Sequence, residues 1–97
     1  GHGHNYTLYL TLQGIPDPKT GMIINFTEIK NIVNKYIIEP MDHRHLNLDV
    51  PEFKDLNPTS ENMVIVFWNI LNPHFPNNSL YEVKLTETEN NTCYYRG

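Results

Sequence analysis

Cysteine is nearly absent. Cys93 is the only one, so the chain cannot close an internal disulfide, and an unpaired thiol favours a reducing, cytoplasmic setting. Basic residues are also few. Seven lysines and arginines against eleven acids leave a net charge of −4, which argues against nucleic acid as a partner. No apolar run approaches the roughly eighteen residues that a membrane span requires. No signal-peptide pattern is visible, although the abrupt start leaves room for an upstream piece. What remains is ordinary. With 97 residues, 39 % hydrophobic and 19 % charged, residues 1–97 are expected to form one small domain with a modest core.

Alternation opens the chain. Thr7 to Leu12 reads as a strand with Tyr6, Leu8, Leu10 and Leu12 on one face and Thr7, Tyr9 and Thr11 on the other. The turn-rich Gly14 to Gly21 is a surface connection, followed by a short extended run, Met22-Ile23-Ile24. Asn25 with Glu28 three positions on has the form of a capping box. Behind it, Ile29, Ile32, Val33, Tyr36 and Ile37 make one helical stripe, which Pro40 is expected to stop. A second helix starts at Asn57 or Thr59 and carries Met63 to Leu71, apolar at almost every position. Apolarity on all sides calls for cover on two faces, from the sheet and from something else, a partner subunit being one option. Leu80 to Thr88 alternates again, with Tyr81, Val83, Leu85 and Glu87 in one row. Glu89-Asn90-Asn91 signals a hairpin turn, and Thr92 to Arg96 is the last strand.

Three places stand out for chemistry. His2 and His4 continue the core-facing row of the first strand, and two imidazoles side by side suit a divalent metal, most often zinc. Two ligands do not make a site, and a cloning remnant or a structural pair fits the same letters. Asp42-His43-Arg44-His45 opens a long stretch between two apolar runs, and an aspartate beside a histidine can orient the ring and stabilise its charged form. A solvated charged loop is the alternative. Glu87 ends an apolar row, where a carboxylate is costly without a partner; it either binds a ligand or reaches water at a frayed strand end. Cys93 reads as a small strand residue, since no helix start or cationic cluster lies near it in sequence. His74 reads as solvated.

Several motifs together carry a resemblance: Gly-His-Gly-His-Asn-Tyr at 1–6, Asp-Pro-Lys-Thr-Gly-Met at 17–22, Pro-Met-Asp-His-Arg at 40–44, Pro-Thr-Ser-Glu-Asn at 58–62, and Glu-Thr-Glu-Asn-Asn at 87–91 through Tyr95-Arg96-Gly97. In this order and spacing the chain resembles the 6-pyruvoyl-tetrahydropterin synthase family. The resemblance implies an α+β tunnel fold, an antiparallel sheet with two antiparallel helices on one face. It also implies homo-oligomers, trimers or hexamers, with sites at subunit interfaces. The family's first strand, with a third zinc histidine and the catalytic cysteine, would lie upstream of Gly1, so the chain is expected to be truncated at its start.

Carried over by position, the resemblance makes His2 and His4 zinc ligands and Asp42 and His43 a proton-transfer dyad. It makes Glu87 the carboxylate that accepts in parallel from the pterin 2-amino group and N3–H. Thr59 and Ser60 become further pterin contacts. The implied reaction converts 7,8-dihydroneopterin triphosphate to 6-pyruvoyl-tetrahydropterin with loss of triphosphate, helped by the Lewis acidity of zinc and without nicotinamide. Three alternatives stay open: a relative forming 6-carboxy-tetrahydropterin, a lyase giving 6-hydroxymethyl-dihydropterin, and a non-catalytic pterin-binding member. Asn25 and Leu48-Asp49-Val50-Pro51 lean away from the first.

Overall fold

A computed structural model describes residues 6–41, 59–87 and 91–97. Three strands form one antiparallel sheet in the order β1 (Tyr6–Leu12), β2 (Leu80–Glu87), β3 (Asn91–Tyr95). Strand β2 lies in the middle, paired with β1 from Tyr6↔Glu87 to Leu12↔Leu80 and with β3 from Glu87↔Asn91 to Val83↔Tyr95. The alternation of β1 behaves as read from Thr7 to Leu12, while Tyr6, expected on the inward row, is 37 % exposed. Leu8, Leu10 and Leu12 are half-buried, while Thr7, Tyr9 and Thr11 are exposed. The turn expected at Glu89-Asn90-Asn91 lies outside the described residues except for Asn91.

One row of β2 departs from simple alternation. Thr11 pairs with Glu82 and Leu12 with Leu80, so Tyr81 is an extra residue at a β-bulge. The bulge resets the parity. Leu80, only 2 % exposed, takes the core position, and Tyr81, expected there, is 38 % exposed. Val83, Leu85 and Glu87 keep the inward row below it.

The connection from β1 is held by Asp17, whose Oδ1 accepts from the amides of Lys19 at 2.7 Å and Thr20 at 3.3 Å. Its own amide donates to the Met22 carbonyl, and Gly21 closes the loop at φ +72°, a left-handed conformation that suits glycine. Met22-Ile23-Ile24 does not form the extended run expected. Residues 23 and 24 are bends that lead into the helix cap. There Asn25 is extended and its Oδ1 accepts from the Thr27 amide at 2.8 Å, starting α1 (Phe26–Val33).

The apolar stripe of α1 turns toward the core, with Ile29, Ile32, Val33 and Tyr36 half-buried and Ile37 buried. The described helix reaches Met41, just before Asp42, and includes Pro40 itself. A π-helical turn at Asn34–Ile38 intervenes, and helical structure continues as α2 (Glu39–Met41) through Pro40. Widening to i→i+5 bonding is one of the adjustments by which a helix absorbs a local irregularity. A proline lacks only its own donor and crowds the previous turn.

Helix α3 (Ser60–Leu71) lies on the inner face of the sheet. Thr59 is its cap, extended, with Oγ1 accepting from the Asn62 amide at 3.3 Å. Met63, Val64, Val66, Phe67 and Leu71 are buried, whereas Ile65 is 38 % exposed. The apolar run is thus covered on most sides, though not on all. The helix ends in a 3-10 turn at Asn72–His74. His74 is exposed and stacks on Tyr36 at 3.8 Å between ring centres, which ties the end of α3 to the π-helical turn. At the other edge of α3, Trp68 meets Tyr95 edge-on at 6.0 Å and lies over Gly97, where a Cβ would come within 2.8 Å of the indole.

Leu71, Val83 and Leu85 are the most deeply buried side chains, where α3 meets β2. Truncating Leu71 to alanine removes packed volume that its neighbours recover only in part, and is expected to cost ~2–5 kcal/mol. Ile65→Ala, at a half-exposed position on the same helix, should change stability far less. Urea unfolding of both variants checks the contrast, and equal midpoints would contradict this placement of the core.

Candidate functional site

The inward row of β2 ends at Glu87, beside the first turn of α3. That junction brings chemistry together. Ser60 opens α3 and is buried, and its hydroxyl donates to Glu87 Oε2 at 3.2 Å. The partner expected for a carboxylate at the end of an apolar row therefore comes from the helix. Tyr6 faces Glu87 across the β1–β2 pair. Its phenol is pushed above the ordinary tyrosine value, first by burial and then by the negative charge of Glu87.

A second carboxylate follows directly in sequence. Glu61, also in the first turn of α3, lies near the Cys93 thiol of β3, which is pushed above its ordinary value first by burial, then by Glu61 and the charge of Glu87. A raised thiol stays protonated at neutral pH and acts as a donor rather than a nucleophile. The first turn of a helix also favours negative charge, because unpaired backbone amides and the helix dipole converge there. Glu87 and Glu61 thus sit where one helix start meets one end of the sheet, and Glu87 has a hydroxyl donor there. Such a pair can accept from a flat ligand rich in N–H groups.

Of the sequence candidates, the structure brings Ser60 and Glu87 into contact and places Thr59 next to them as the helix cap. His2, His4, Asp42 and His43 lie outside the described residues. Among the described residues no group of three His, Cys, Asp or Glu is placed to hold a metal. The sequence reading passed over Glu61 and gave Cys93 no neighbouring helix start. The missing information is the pairing of β3 with β2, which sets Cys93 opposite Leu85 and so on the inner face beneath α3. A sequence shows Cys93 and Glu61 only as residues 32 positions apart.

Comparison with known proteins supplies the family. The model of 6-pyruvoyl tetrahydropterin synthase matches residues 1–97. The 6-pyruvoyl tetrahydrobiopterin synthase of Homo sapiens is 42 % identical over 97 residues, covering 100 % of this chain and 67 % of that protein. The one from Dictyostelium discoideum is 44 % identical over 96 residues, covering 99 % and 70 %. The structure of Caenorhabditis elegans 6-pyruvoyl tetrahydropterin synthase superposes with a TM-score of 0.91 at 37 % identity, covering 100 % of this chain and 69 % of that one. The sheet and helices described above are accordingly those of the tunnel fold. The chain spans about two thirds of the length of these relatives, and it belongs to the 6-pyruvoyl tetrahydropterin synthase family.

Proposed function

We propose that the protein converts 7,8-dihydroneopterin triphosphate to 6-pyruvoyl-tetrahydropterin, releasing triphosphate. The observation that carries this reading is the contact of Ser60 with Glu87 at the start of α3, in a chain of this family. An ionised carboxylate there has two oxygens that match the adjacent 2-amino and N3–H donors of a pterin. Glu61 adds a second acceptor to the same junction. The half-buried setting matters, because a hydrogen bond to a charged group is worth more where water competes less.

His2 and His4 would supply two imidazoles to a zinc ion, whose chemistry there would be Lewis acidity toward the side-chain hydroxyls of the substrate. The donor chemistry fits zinc, and a complete set needs at least one ligand more. Asp42 would hold the imidazole of His43 in one orientation and stabilise its protonated form, so that His43 moves the proton. On this reading Glu87 contributes binding and orientation, and the dyad contributes rate.

Each part has a separate readout. Glu87→Gln keeps the shape but turns an NH₂ toward a ring donor, and should weaken binding of a non-reactive pterin by about 2–4 kcal/mol. Calorimetric titration decides it. An affinity within about twofold of the parent would place the ring elsewhere.

His43→Ala should lower kcat by about a hundredfold or more while leaving pterin affinity near that of the parent. If affinity falls and saturated turnover persists, the imidazole is a binding group.

Native mass spectrometry of the full-length protein reads metal and assembly together. About one zinc per subunit is expected in a trimer or hexamer, with most of the metal lost in His4→Ala. An unchanged metal content in that variant would remove His4 from the ligand set.

A further inference from the structure

We propose that Tyr36 and His74 are positioning residues for the reaction. Their stacked rings hold the π-helical turn in register at the end of α3, and so fix where the chain leaves the helix for Asp42 and His43. The proposal rests on the reading of Asp42 and His43 given above, and the two rings act on them only through the backbone.

The need for a clasp starts at Pro40. In an α-helix the Tyr36 carbonyl would accept from the amide four residues on. That residue is Pro40, which has no amide hydrogen and whose ring crowds the same carbonyl. The helix widens here, and the Glu39 amide donates to the Asn34 carbonyl, five residues back. Such turns are frequent at functional sites. A π-turn holds one residue more than the α-helical path, and each helical residue turns the chain by about 100°. Loss or displacement of the turn would therefore rotate Glu39 to Met41 about the axis. The direction in which the chain goes on to Asp42 would change with them.

Apolar burial alone selects this register weakly. Ile37 is 4 % exposed and its neighbour Ile38 is 47 % exposed, so a slide of one position would bury the same side chain in the same place. The rings break that tie. The slide that brings Ile38 to the place of Ile37 brings Ile37 to the place of Tyr36, and no ring then meets His74. The observed rings lie within 13° of parallel, with Lys35 Nζ 5.4 Å from the centre of the Tyr36 ring. His74 is a firm base for the contact. It closes a 3-10 turn that contains Pro73, and its flanking residues Leu71 and Phe75 are both buried in the core. An aromatic pair of this kind biases a choice between two arrangements by about twofold to tenfold.

The experiment uses the full-length protein and two measurements. Amide hydrogen exchange, read by mass spectrometry on peptides covering residues 34–41, reports opening of the turn. His74→Ala and Tyr36→Leu each remove one ring and should speed exchange there about twofold to tenfold. With 7,8-dihydroneopterin triphosphate, kcat should fall about twofold to tenfold in both. The calorimetric Kd for 2-amino-4-oxopteridine should stay within about twofold of the parent, because the ring acceptors stand elsewhere. His74→Phe returns a flat ring without the imidazole, and should restore both exchange and kcat. Parent-like exchange in both His74→Ala and Tyr36→Leu overturns the proposal. Faster exchange with an unchanged kcat also overturns it, since the stack is then a structural contact alone. So does a loss of kcat that phenylalanine does not restore. A parent protein that does not turn over the triphosphate overturns the functional reading and the positioning role with it. Exchange needs no substrate and would in that case still show whether the rings hold the turn, so the two failures are told apart.

Discussion

The register of β2 between its two neighbours is the constraint on which the rest depends. Side chains alternate across a strand with a period of two, so a slip of one residue would send every inward residue outward. In the observed register Val83 and Leu85 fill the core under α3, and Glu87 follows them to the helix start. The outer face could not impose this. It carries Lys84 over the Tyr9 ring at 4.4 Å, and an Arg96–Glu82 ion pair at 2.9 Å in which the arginine is largely exposed. Contacts of that kind in water contribute little and are screened by salt. The apolar inner face decides the register, and the positions of Glu87 and Cys93 follow from it.

Once the register is set, the electrostatics of the junction follow from a few groups. The start of α3 favours nearby negative charge through the helix dipole, and the Ser60 hydroxyl donates to Glu87. The neighbours answer in the expected direction. Tyr6 and Cys93 both hold their protons more tightly than usual, because burial and the nearby carboxylates disfavour a further negative charge. On the proposed reading the junction would accept hydrogen bonds from a ligand that brings its own donors.

Much of this architecture could be read from the letters, and the failures have physical causes. The strand β1, the Asn25 and Thr59 caps and the Ile29 to Ile37 stripe follow from local preference and periodicity, which act within a few residues. The bulge at Tyr81 could not be read that way, since an inserted residue looks the same as its neighbours until the partner strand is known. The π-helical turn ahead of Pro40 could not be read that way either, since no rule about proline alone foresees it. The nearness of Glu61 to Cys93 depends on three elements meeting, and a sequence pattern does not carry that. Glu87 was found by a local conflict, a carboxylate closing an apolar row. Its contact with Ser60 is the resolution of that conflict.

The division of the candidate residues along the chain has a consequence of its own. Ser60 and Glu87 stand on a helix and a strand whose neighbours form the core, which would suit a fixed geometry for the proposed recognition. The residues proposed for metal binding and proton transfer, His2, His4, Asp42 and His43, occupy other segments: one just ahead of β1, the other just past α2. On the proposed reading, recognition and chemistry would be built from different parts of the chain. Placing the invariant part of a substrate on the rigid part of a protein leaves the reacting part to be met by groups from elsewhere, and binding energy gained at the ring can then orient the side chain that reacts. The carboxylates at the start of α3 would serve any ligand bearing the same ring. What becomes of its side chain would depend on residues those carboxylates do not touch.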